Sequence, residues 1–522
     1  MSTSSSGSFS ERYLAGALSD FYNLEPGDLS AALDVPRPAD RDALTRALRR
    51  YAEKLDAPKA VFTSLDALAH PESRAVVTGQ QVGLLLGPLY TLSKAVTAVN
   101  LAKQLSAEEK PVVPIFWLAS QDGDSDEIDH AYVLSLEEEL CRLELPLPAD
   151  VPAGRIELRD DWVETITTLQ KINDASAYKE AYEKEALDLI TKSAERAETV
   201  ADWFAAMLYN LLGDQGLVIL NPLEPDVAPL FRPVLEAELE EPRASSLAIN
   251  DAGERLRERG FAPQLGRGEE ATNLFLEEDG KRRLLRFDGR EFYTESNLYT
   301  KDDLKKILDE DPSRLTPAAG LRPITQDAVL PTAATVVGPG ELRYFAQIRG
   351  VYEAHEVAMP LIYPRMEVTI LEPPVRRILE KYDLSAEEVQ NDFDAICDEL
   401  LLNLRGHGEA FEKSLGELER LAKDLTEHVA AIDPTLERTV ERGEGHMRKT
   451  VELLRFKSAR ALREQDTITS KQFERLKIHL LPTDKPQERA LSPFSFFLKL
   501  GAKNVVERLV ALPPEGSHEV KF

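Results

Sequence analysis

The stretch VVTGQQVGLLLGPLYTLSKAV, residues 76–96, runs from an apolar strand pattern through three glycines into a lysine-bearing helix pattern. Residues 75–78 form a short apolar run typical of a buried strand, and residues 89–105 carry apolar side chains at close to helical spacing. Residues 111–119, PVVPIFWLA, are then almost continuously apolar. Because a strand that is apolar on both faces belongs inside a parallel sheet, residues 74–120 predict a βαβ unit with a right-handed crossover.

Two further segments repeat this alternation. Residues 201–222 follow the pattern of a helix, a glycine stop at Gly213 and a strand, and residues 332–365 follow that of a strand, a Gly-Pro-Gly turn, a helix and a strand. Strands that alternate with helices predict an α/β fold with a doubly wound parallel sheet. The charged segments between them, about residues 121–195 and 240–320, are interpreted as insertions into the sheet domain.

The last third of the chain, from residue 384 to about residue 465, is charged and carries two apolar seams. The seams consist of Phe411, Leu415, Leu418, Leu425, Val429 and Ile432, then Leu436, Val440, Met447, Val451 and Leu454. Asp433 between them suits an N-cap, and Pro434 suits the first turn of a new helix. The pattern predicts a long antiparallel helical hairpin, either a solvated arm or, because the seams are strongly apolar, a dimerisation element.

Composition narrows the classes of partner. The chain has 522 residues, which favours two or three domains, and a net charge of −28, which opposes binding to nucleic acid or to anionic membranes. The sequence has no apolar run of the ~20 residues that cross a bilayer, and its start lacks a secretory signal pattern, so we expect a cytoplasmic protein. The two cysteines, Cys141 and Cys397, form no CxxC pair and are interpreted as packing residues.

The glycine turn after the first strand could hold a ligand. A helix N-terminus that follows a strand attracts anions, glycines allow close approach, and glutamine side chains both donate and accept hydrogen bonds. The candidate contacts in this turn are Gly79, Gln80, Gln81, Gly83 and Gly87, with Lys94 a turn or more into the helix. The turn matches neither a Walker A loop nor GxGxxG, so spacing alone leaves a structural turn and a ligand site open. Its position favours a ligand, because ligands of open α/β sheets bind beyond the carboxyl ends of the strands.

Two other turns are expected at the same edge of the sheet. The first is GPGE, residues 338–341. The second, residues 120–133, contains Asp122, Asp124 and Asp126 at the spacing that opens a calcium loop. It lacks the sixth-position glycine and the twelfth-position glutamate, so it is no EF-hand. Two interpretations of this segment remain open: a site for Mg²⁺ or a substrate ammonium group, and an acidic surface loop without a ligand.

Six segments in order resemble the BshC family of cysteine ligases, which is associated with the last step of bacillithiol synthesis. They are VVTGQQVGLLLGPLYTLSKAV, PVVPIFWLASQDGDSDEIDHAYV, LRPITQDAVLPTAATVVGPGELRYFAQ, MPLIYPR, DPTLE and LLPTDKPQERALSPFSFFLKLG. The resemblance implies a Rossmann-like core similar to class I aminoacyl-tRNA synthetases, with connective insertions and a coiled-coil arm. We therefore expect a catalytic core over residues 1–383, an arm over 384–473 and a C-terminal segment, 474–522, that packs back on the core.

The resemblance also implies a ligase that adds cysteine to glucosamine-malate. Because a carboxylate is a poor acyl donor, we expect coupling to ATP, with Mg²⁺ accompanying the nucleotide and no dedicated metal site. The apolar seams favour a homodimer formed through the arm. Lys94 and Arg365 would stabilise phosphate charge, and Asp122 and Asp124 would bind an ammonium group or Mg²⁺. The residues expected to bind the nucleotide are Thr78, Gly79, Gln80, Gln81, Gly83, Gly87, Tyr90, Gly338, Gly340 and Glu341. We expect Gly83 to need positive φ and close ligand approach, and Lys94 to lie at the rim and bury little surface. An acyl-adenylate and an acyl phosphate both remain open as the activated form of cysteine.

The chain departs from the usual family pattern at three places. Ser93 stands where the family usually has a histidine before Lys94, residues 121–124 read QDGD where EDHD is usual, and Glu367 replaces a serine. The first two departures remove two imidazoles and a carboxylate from the expected site. His130 and His355 are the histidines expected near this edge, and the chain would have to use His130, work without an imidazole or be weakly active. These losses favour an alternative: a catalytically weakened, nucleotide- or metabolite-binding dimeric partner protein.

Overall fold

The computed structural model of the chain describes residues 7–173 and 180–522. The chain folds into two units. The first comprises Met1–Leu136, Cys141–Val368 and Leu491–Val520, and the second Glu137–Leu140, Thr369–Ala490 and Lys521–Phe522. Compared with the expected domains, the second unit begins before residue 384 and also includes residues 474–490, while Leu491–Val520 belong to the first unit.

The strands lie mainly in the first unit. Within the described residues they are β1 (Arg74–Gln81), β2 (Val112–Ala119), β3 (His130–Leu134), β4 (Leu140–Glu144), β5 (Val218–Leu220), β6 (Ala271–Glu278), β7 (Lys281–Phe287), β8 (Phe292–Tyr293), β9 (Leu298–Tyr299), β10 (Leu315–Pro317), β11 (Thr332–Val337), β12 (Leu361–Pro364), β13 (Glu367–Leu371) and β14 (Ser517–Lys521).

The α-helices fall into three runs along the chain. The first run is α1 (Phe9–Leu14), α2 (Leu29–Asp34), α3 (Arg41–Lys54), α4 (Lys59–Leu68), α5 (Tyr90–Leu105), α6 (Ser125–Ile128), α7 (Asp161–Asn173), α8 (Glu180–Ala194), α9 (Val200–Leu212), α10 (Arg232–Glu240), α11 (Ala244–Glu258), α12 (Lys301–Glu310), α13 (Arg322–Val329) and α14 (Pro339–Ala354). The second run is α15 (Pro373–Tyr382), α16 (Ala386–Asn391), α17 (Phe393–Leu404), α18 (Gly408–Ala430), α19 (Glu437–Gln465), α20 (Thr467–Leu480) and α21 (Gln487–Ala490). The last run is α22 (Phe494–Leu500) and α23 (Ala502–Val510).

The first unit is built on a five-stranded sheet in the order β12-β11-β1-β2-β5. Every neighbouring pair in this sheet is parallel, which confirms the predicted α/β fold. Helix α5 connects β1 to β2 in one direction across the sheet, and α14 connects β11 to β12 in the other. Right-handed crossovers of opposite direction place their helices on opposite faces, so β1 and β11 form the switch point at which ligands of such sheets bind.

Strand β1 is longer than its apolar pattern predicts. The pattern ends at Thr78, whereas the strand continues to Gln81, pairing Gly79 with Trp117 of β2 and Gln81 with Ala119. The two glutamines therefore belong to the carboxyl end of strand β1 rather than to the turn.

The segment from residue 240 to residue 320 forms its own sheet, as expected for an insertion. Its five strands have the order β10-β6-β7-β8-β9 and are antiparallel. The other predicted insertion, from residue 121 to residue 195, contains the β3–β4 pair and helices α7 and α8. Residues 174–179 of that insertion lie outside the described residues.

The second unit contains the predicted helical hairpin of α18 and α19. Asp433 caps the turn, because its carboxylate accepts a hydrogen bond from the Thr435 N–H at 2.9 Å, and Pro434 opens the short 3-10 turn that follows. Of the predicted seam, Leu418 is buried, whereas several apolar side chains stay at least 39% exposed: Leu425, Ile432, Leu436, Met447 and Leu454.

The cysteines fit the packing interpretation. Cys397 lies in the apolar core formed by α15, α16, α17 and α20, and burial raises the pKa of its thiol to about 12. Cys141 is partly buried, and the two cysteines do not form a disulfide with each other. Among the described residues, no helix combines the length and apolar character required to cross a bilayer.

Candidate functional site

Lys94 is at the centre of the switch point. It is the fifth residue of α5 and only 3% exposed, and its side chain points back toward the carboxyl end of β1. The Nζ atom donates to the Gly79 carbonyl oxygen at 3.1 Å and to Gln80 Oε1 at 2.9 Å, and it forms an ion pair with Glu341. Burial lowers the pKa of Lys94, and Glu341 opposes that shift. The expectation of a rim lysine with little burial is therefore wrong.

Glu341 comes from the opposite side of the switch point. It is the third residue of α14, and its Oε2 atom accepts a hydrogen bond from the N–H of the N-cap Gly338 at 2.8 Å. The Glu341 side chain is 26% exposed, so this carboxylate faces solvent as well as Lys94. One carboxylate thus caps α14 and balances the charge of the buried lysine.

Gly338 leaves a small space between charged groups. A Cβ atom built at this position would lie 3.5 Å from Glu341 Oε2, 3.7 Å from Arg365 Nε and 3.9 Å from Lys94 Cε. Gly340, by contrast, has open space where its Cβ would be. The two glycines of the second turn therefore differ: one is surrounded by the site and the other lies on its open side.

Arg365 and Tyr90 complete this cluster. Arg365 follows β12, is 5% exposed, and donates from Nη1 to the Met366 carbonyl oxygen at 2.8 Å. Its guanidinium carbon lies 5.6 Å from the Tyr90 ring centroid, and Lys94 Nζ lies 5.8 Å from the same centroid. Both cations are within reach of the ring's negative face. Gln80 also contacts Tyr90, with 3.4 Å between Nε2 and the hydroxyl oxygen.

A third cation, Arg322, belongs to the same region. It is the first residue of α13. Burial lowers the pKa of Lys94, and the charge of Arg322 adds to that shift. Burial lowers the pKa of Arg322 itself, whereas Tyr344 and Glu341 raise it. The sequence pattern did not single out this arginine. The signal available was its place in the segment LRPITQD, directly before the strand that ends at Val337. The switch point contains three cations, Lys94, Arg322 and Arg365, and one carboxylate, Glu341. It is therefore positive, although the net charge of the chain is −28.

Asp122 lies in a second cluster at the ends of β1 and β2. Gln81 Nε2 donates to Asp122 Oδ2 at 2.9 Å and also to Glu127. Arg282 forms an ion pair with Asp122 at 3.4 Å. The charge of Asp122 is therefore already paired with a protein cation. Asp124 is exposed at the N-cap of α6 and makes no side-chain cap hydrogen bond.

The three aspartates do not converge on one point. Within the described residues, no group of three or more histidine, cysteine, aspartate or glutamate side chains is arranged to hold a metal ion. The binding of Mg²⁺ or ammonium by Asp122 and Asp124 stays a prediction that the geometry does not strengthen.

Comparison with known proteins adds the family. Residues 2–366 match the N-terminal Rossmann-like domain of the bacillithiol biosynthesis protein BshC, and residues 368–521 match its C-terminal coiled-coil domain. The chain belongs to the BshC family. The junction between the two matched domains agrees with the division between the two units after Val368. A likeness to class I aminoacyl-tRNA synthetases stays an expectation.

Relatives named "Putative cysteine ligase BshC" cover nearly the whole chain. One from Thermus thermophilus is 40% identical over 94% of this chain and 96% of its own length. One from Salinibacter ruber is 33% identical over 92% of this chain and 90% of its own, and one from Geobacillus kaustophilus is 31% identical over 93% and 91%.

Several glycines of the BshC motif have clear packing roles. A Cβ atom at Gly79 would lie 2.8 Å from the Trp117 carbonyl oxygen, and one at Gly83 would lie 2.9 Å from Gly87 Cα. Gly83 has φ of −80°, so the expectation of positive φ there is wrong; the positive φ, +61°, belongs to Gly87. Thr78 is buried and its hydroxyl donates to the Val336 carbonyl oxygen at 3.0 Å. Nucleotide contacts by these four residues stay predictions.

The departures from the BshC pattern also have structural correlates. Ser93 is fully buried and donates from Oγ to the Tyr90 carbonyl oxygen at 3.1 Å. A Cβ atom at Gly123 would lie 2.9 Å from the Asp150 carbonyl carbon, so this conformation has no room for an imidazole there. Glu367 is exposed, and its N–H donates to the Gly516 carbonyl oxygen at 2.9 Å. The nearby His130 contacts Asp129, with 2.9 Å between Nδ1 and Oδ1.

Proposed function

We propose that this BshC chain is an ATP-dependent ligase that joins the carboxyl group of cysteine to the amino group of glucosamine-malate, the last step of bacillithiol biosynthesis. The observation that carries the proposal is the cluster of Lys94, Arg322, Arg365 and Glu341 at the switch point of the parallel sheet. Relatives that match more than nine-tenths of the chain carry a cysteine ligase name. The proposal places the protein in the cytoplasm, where ATP and reduced cysteine are available.

The residues around Gly338 fit a nucleotide phosphate. The missing Cβ leaves space between Lys94 and Arg365, and the N-terminus of α14 favours negative charge at the same place. Arg365, Gly338 and Gly340 would hold the phosphates, with Tyr90 beneath the two cations. ATP supplies the activation that turns a carboxylate, a poor acyl donor, into a reactive one.

Lys94 has a defined task in this arrangement. An ammonium group has three N–H donors, and all three of its described partners are protein oxygens: Gly79 O, Gln80 Oε1 and Glu341 Oε2. The lysine therefore fixes the edge of β1 against α14 and adds positive charge to the cleft. Direct contact between Lys94 and a ligand requires Glu341 to release it. Mg²⁺ enters with the nucleotide in this proposal.

The alternative is a catalytically weakened protein that binds a nucleotide or metabolite and acts on a partner. Buried Ser93 and crowded Gly123 favour it, because neither position offers an imidazole to the cleft. A homodimer through the α18–α19 hairpin is part of both proposals and is supported by the exposed apolar side chains on those helices.

The deciding experiment is incubation of the protein with cysteine, glucosamine-malate and ATP, followed by mass analysis of thiol products. We expect a product whose mass equals the two substrates minus one water, formed only when all three are present. Arg365→Gln serves as the site variant and exposed Arg159→Gln as the matched control, because the Arg159 side chain is 75% exposed. If the nucleotide binds but no product forms under any condition, the alternative holds.

A further inference from the structure

Arg322 is held at the cleft by three neutral side chains, Trp117, Gln326 and Tyr344. Its guanidinium carbon lies 5.7 Å from the centroid of the buried Trp117 ring, and Nη1 donates to Gln326 Oε1 at 2.9 Å. Trp117 is on β2 and Gln326 lies one turn along α13, so the sheet and the helix both fix the arginine. The residue as a whole is half-buried.

The charge of Arg322 is not balanced by a direct carboxylate contact. Within residues 7–173 and 180–522, the guanidinium has no ion pair at 4.0 Å or less, whereas Lys94 is paired with Glu341. The neighbouring phenol of Tyr344 does not supply a negative charge, because burial raises its pKa to about 12 although Arg322 lowers it. Glu341 acts on Arg322 only through its charge at longer range, so no carboxylate would have to leave the guanidinium before a bound anion could pair with it.

The N–H donors that protein contacts leave over show which of two cations, Lys94 or Arg322, can bind an anion. The three N–H groups of Lys94 already have three protein acceptors. A guanidinium has five N–H donors in a planar fork, and the hydrogen bonds to Gln326 and to the Tyr344 hydroxyl oxygen use two of them. Arg322 therefore offers spare donors in the geometry that oxyanions accept two at a time.

We propose that Arg322 is a substrate-binding residue that receives an oxyanion, a phosphate or a carboxylate, in the switch-point cleft, while Lys94 holds the cleft together. The identity of the substrate rests on the proposed function, but the anion site itself does not. A phosphate and a carboxylate each present two oxygens that one guanidinium can bind together. The nucleotide carries phosphates, and the glucosamine-malate acceptor carries carboxylates.

The test measures binding without turnover. Pyrophosphate and malate are titrated separately into the wild-type protein and into Arg322→Gln, Arg322→Lys and the control Arg159→Gln, and heat is recorded. We expect Arg322→Gln to weaken binding of one probe by about 10–100-fold, the effect of losing a charge-assisted hydrogen-bonded pair. Arg322→Lys is expected to keep only part of the affinity for that probe, because an ammonium lacks the planar fork of donors. Arg159→Gln is expected to leave the affinity unchanged. Loss with pyrophosphate assigns the nucleotide side, and loss with malate the acceptor side.

Several results would overturn the proposal. They are unchanged affinity for both probes in a folded Arg322→Gln, no binding of either probe by the wild-type protein, or failure of Arg322→Lys to fold, which would make the arginine structural. Thermal unfolding of each variant reports folding separately. A wild-type protein that binds a probe through Arg322 but forms no thiol product would refute the proposed ligase activity and leave this anion site standing.

Discussion

Lys94 on α5 and Glu341 on α14 form an ion pair across the switch point of the parallel sheet. The two helices follow adjacent strands, β1 and β11, and leave the sheet on opposite faces, so the pair joins the two halves of the doubly wound fold at the proposed ligand site. The contact is therefore both a packing element and part of the site's charge. Substitutions here should change stability and activity together, which separates this site from a loosely attached surface loop.

Lys94→Ala is expected to lower both turnover and stability. Loss of preorganised positive charge typically costs about a hundred- to a thousandfold in rate. The same change leaves Glu341 without its cation and the Gly79 carbonyl without its donor, which should reduce the free energy of unfolding by about 1–3 kcal/mol. Urea unfolding and product formation measure the two effects. Wild-type values for both would show that Lys94 is an ordinary helix residue; Lys94→Met, which keeps most of the volume, controls for packing.

Glu341→Gln should produce a pH-dependent loss of stability. Burial lowers the pKa of Lys94 in the folded protein, and Glu341 opposes this, so the pKa of Lys94 falls further when the carboxylate is removed. A lysine whose pKa is lower in the folded than in the unfolded state reduces the free energy of unfolding at every pH where it is protonated in both states. This loss of stability becomes smaller as the pH rises through the pKa of the folded state. The difference in unfolding free energy between the wild-type protein and Glu341→Gln should therefore be largest at neutral pH and should narrow as the solution is made alkaline. A gap that widens with pH would contradict this assignment.

The β1–α5–β2 unit was predictable because its strands are apolar on both faces and its helix has regular spacing. The end of β1 was not, since Gln80 and Gln81 are polar and resemble a loop; they extend the strand because Leu118 and Ala119 of β2 offer backbone partners. A one-dimensional pattern does not contain those partners.

The candidate site was predictable only in part. Lys94 was identified because its helix follows a strand and a glycine-rich turn, and Gly338 because it directly follows a strand. Arg322 was missed because it precedes its strand, and only the tertiary fold brings α13 beside Trp117. The paired state of Asp122 depends on Arg282 from the inserted sheet, which local sequence could not reveal.

The glycines of the two turns should respond differently to alanine. Gly83→Ala places a Cβ 2.9 Å from Gly87 Cα, so the turn must shift and the protein should lose stability. Gly340→Ala meets open space inside the first turn of α14 and should be neutral or stabilise by about 0.5–1 kcal/mol. If Gly340 holds the nucleotide, its variant should still bind ATP more weakly. Thermal unfolding and ATP titration give both quantities, and an unaltered ATP affinity would remove Gly340 from the proposed site.

Transfer RNA should not bind at physiological salt, whatever the core resembles. Affinity for phosphate backbones comes largely from Lys and Arg that displace counter-ions, and this chain has 63 of them against 91 acidic residues. Filter binding or fluorescence anisotropy in 150 mM salt should show no complex at micromolar protein. A micromolar or tighter complex would show that local positive charge outweighs the acidic balance.

The α18–α19 hairpin should mediate dimerisation through its exposed apolar side chains. Deleting residues 390–460 would be a poor test, because it would also remove Cys397 and Leu401 from the core of the second unit. A sharper change is Met447→Lys combined with Leu454→Lys: each side chain is 54% exposed, so its replacement should cost the isolated chain little. Leu247→Lys is the matched control, since that side chain is 67% exposed on α11 in the first unit. Light scattering should give a dimer mass for the wild-type protein and the control and a monomer mass for the double variant. A dimer that survives both substitutions, with unchanged unfolding, would place the interface elsewhere.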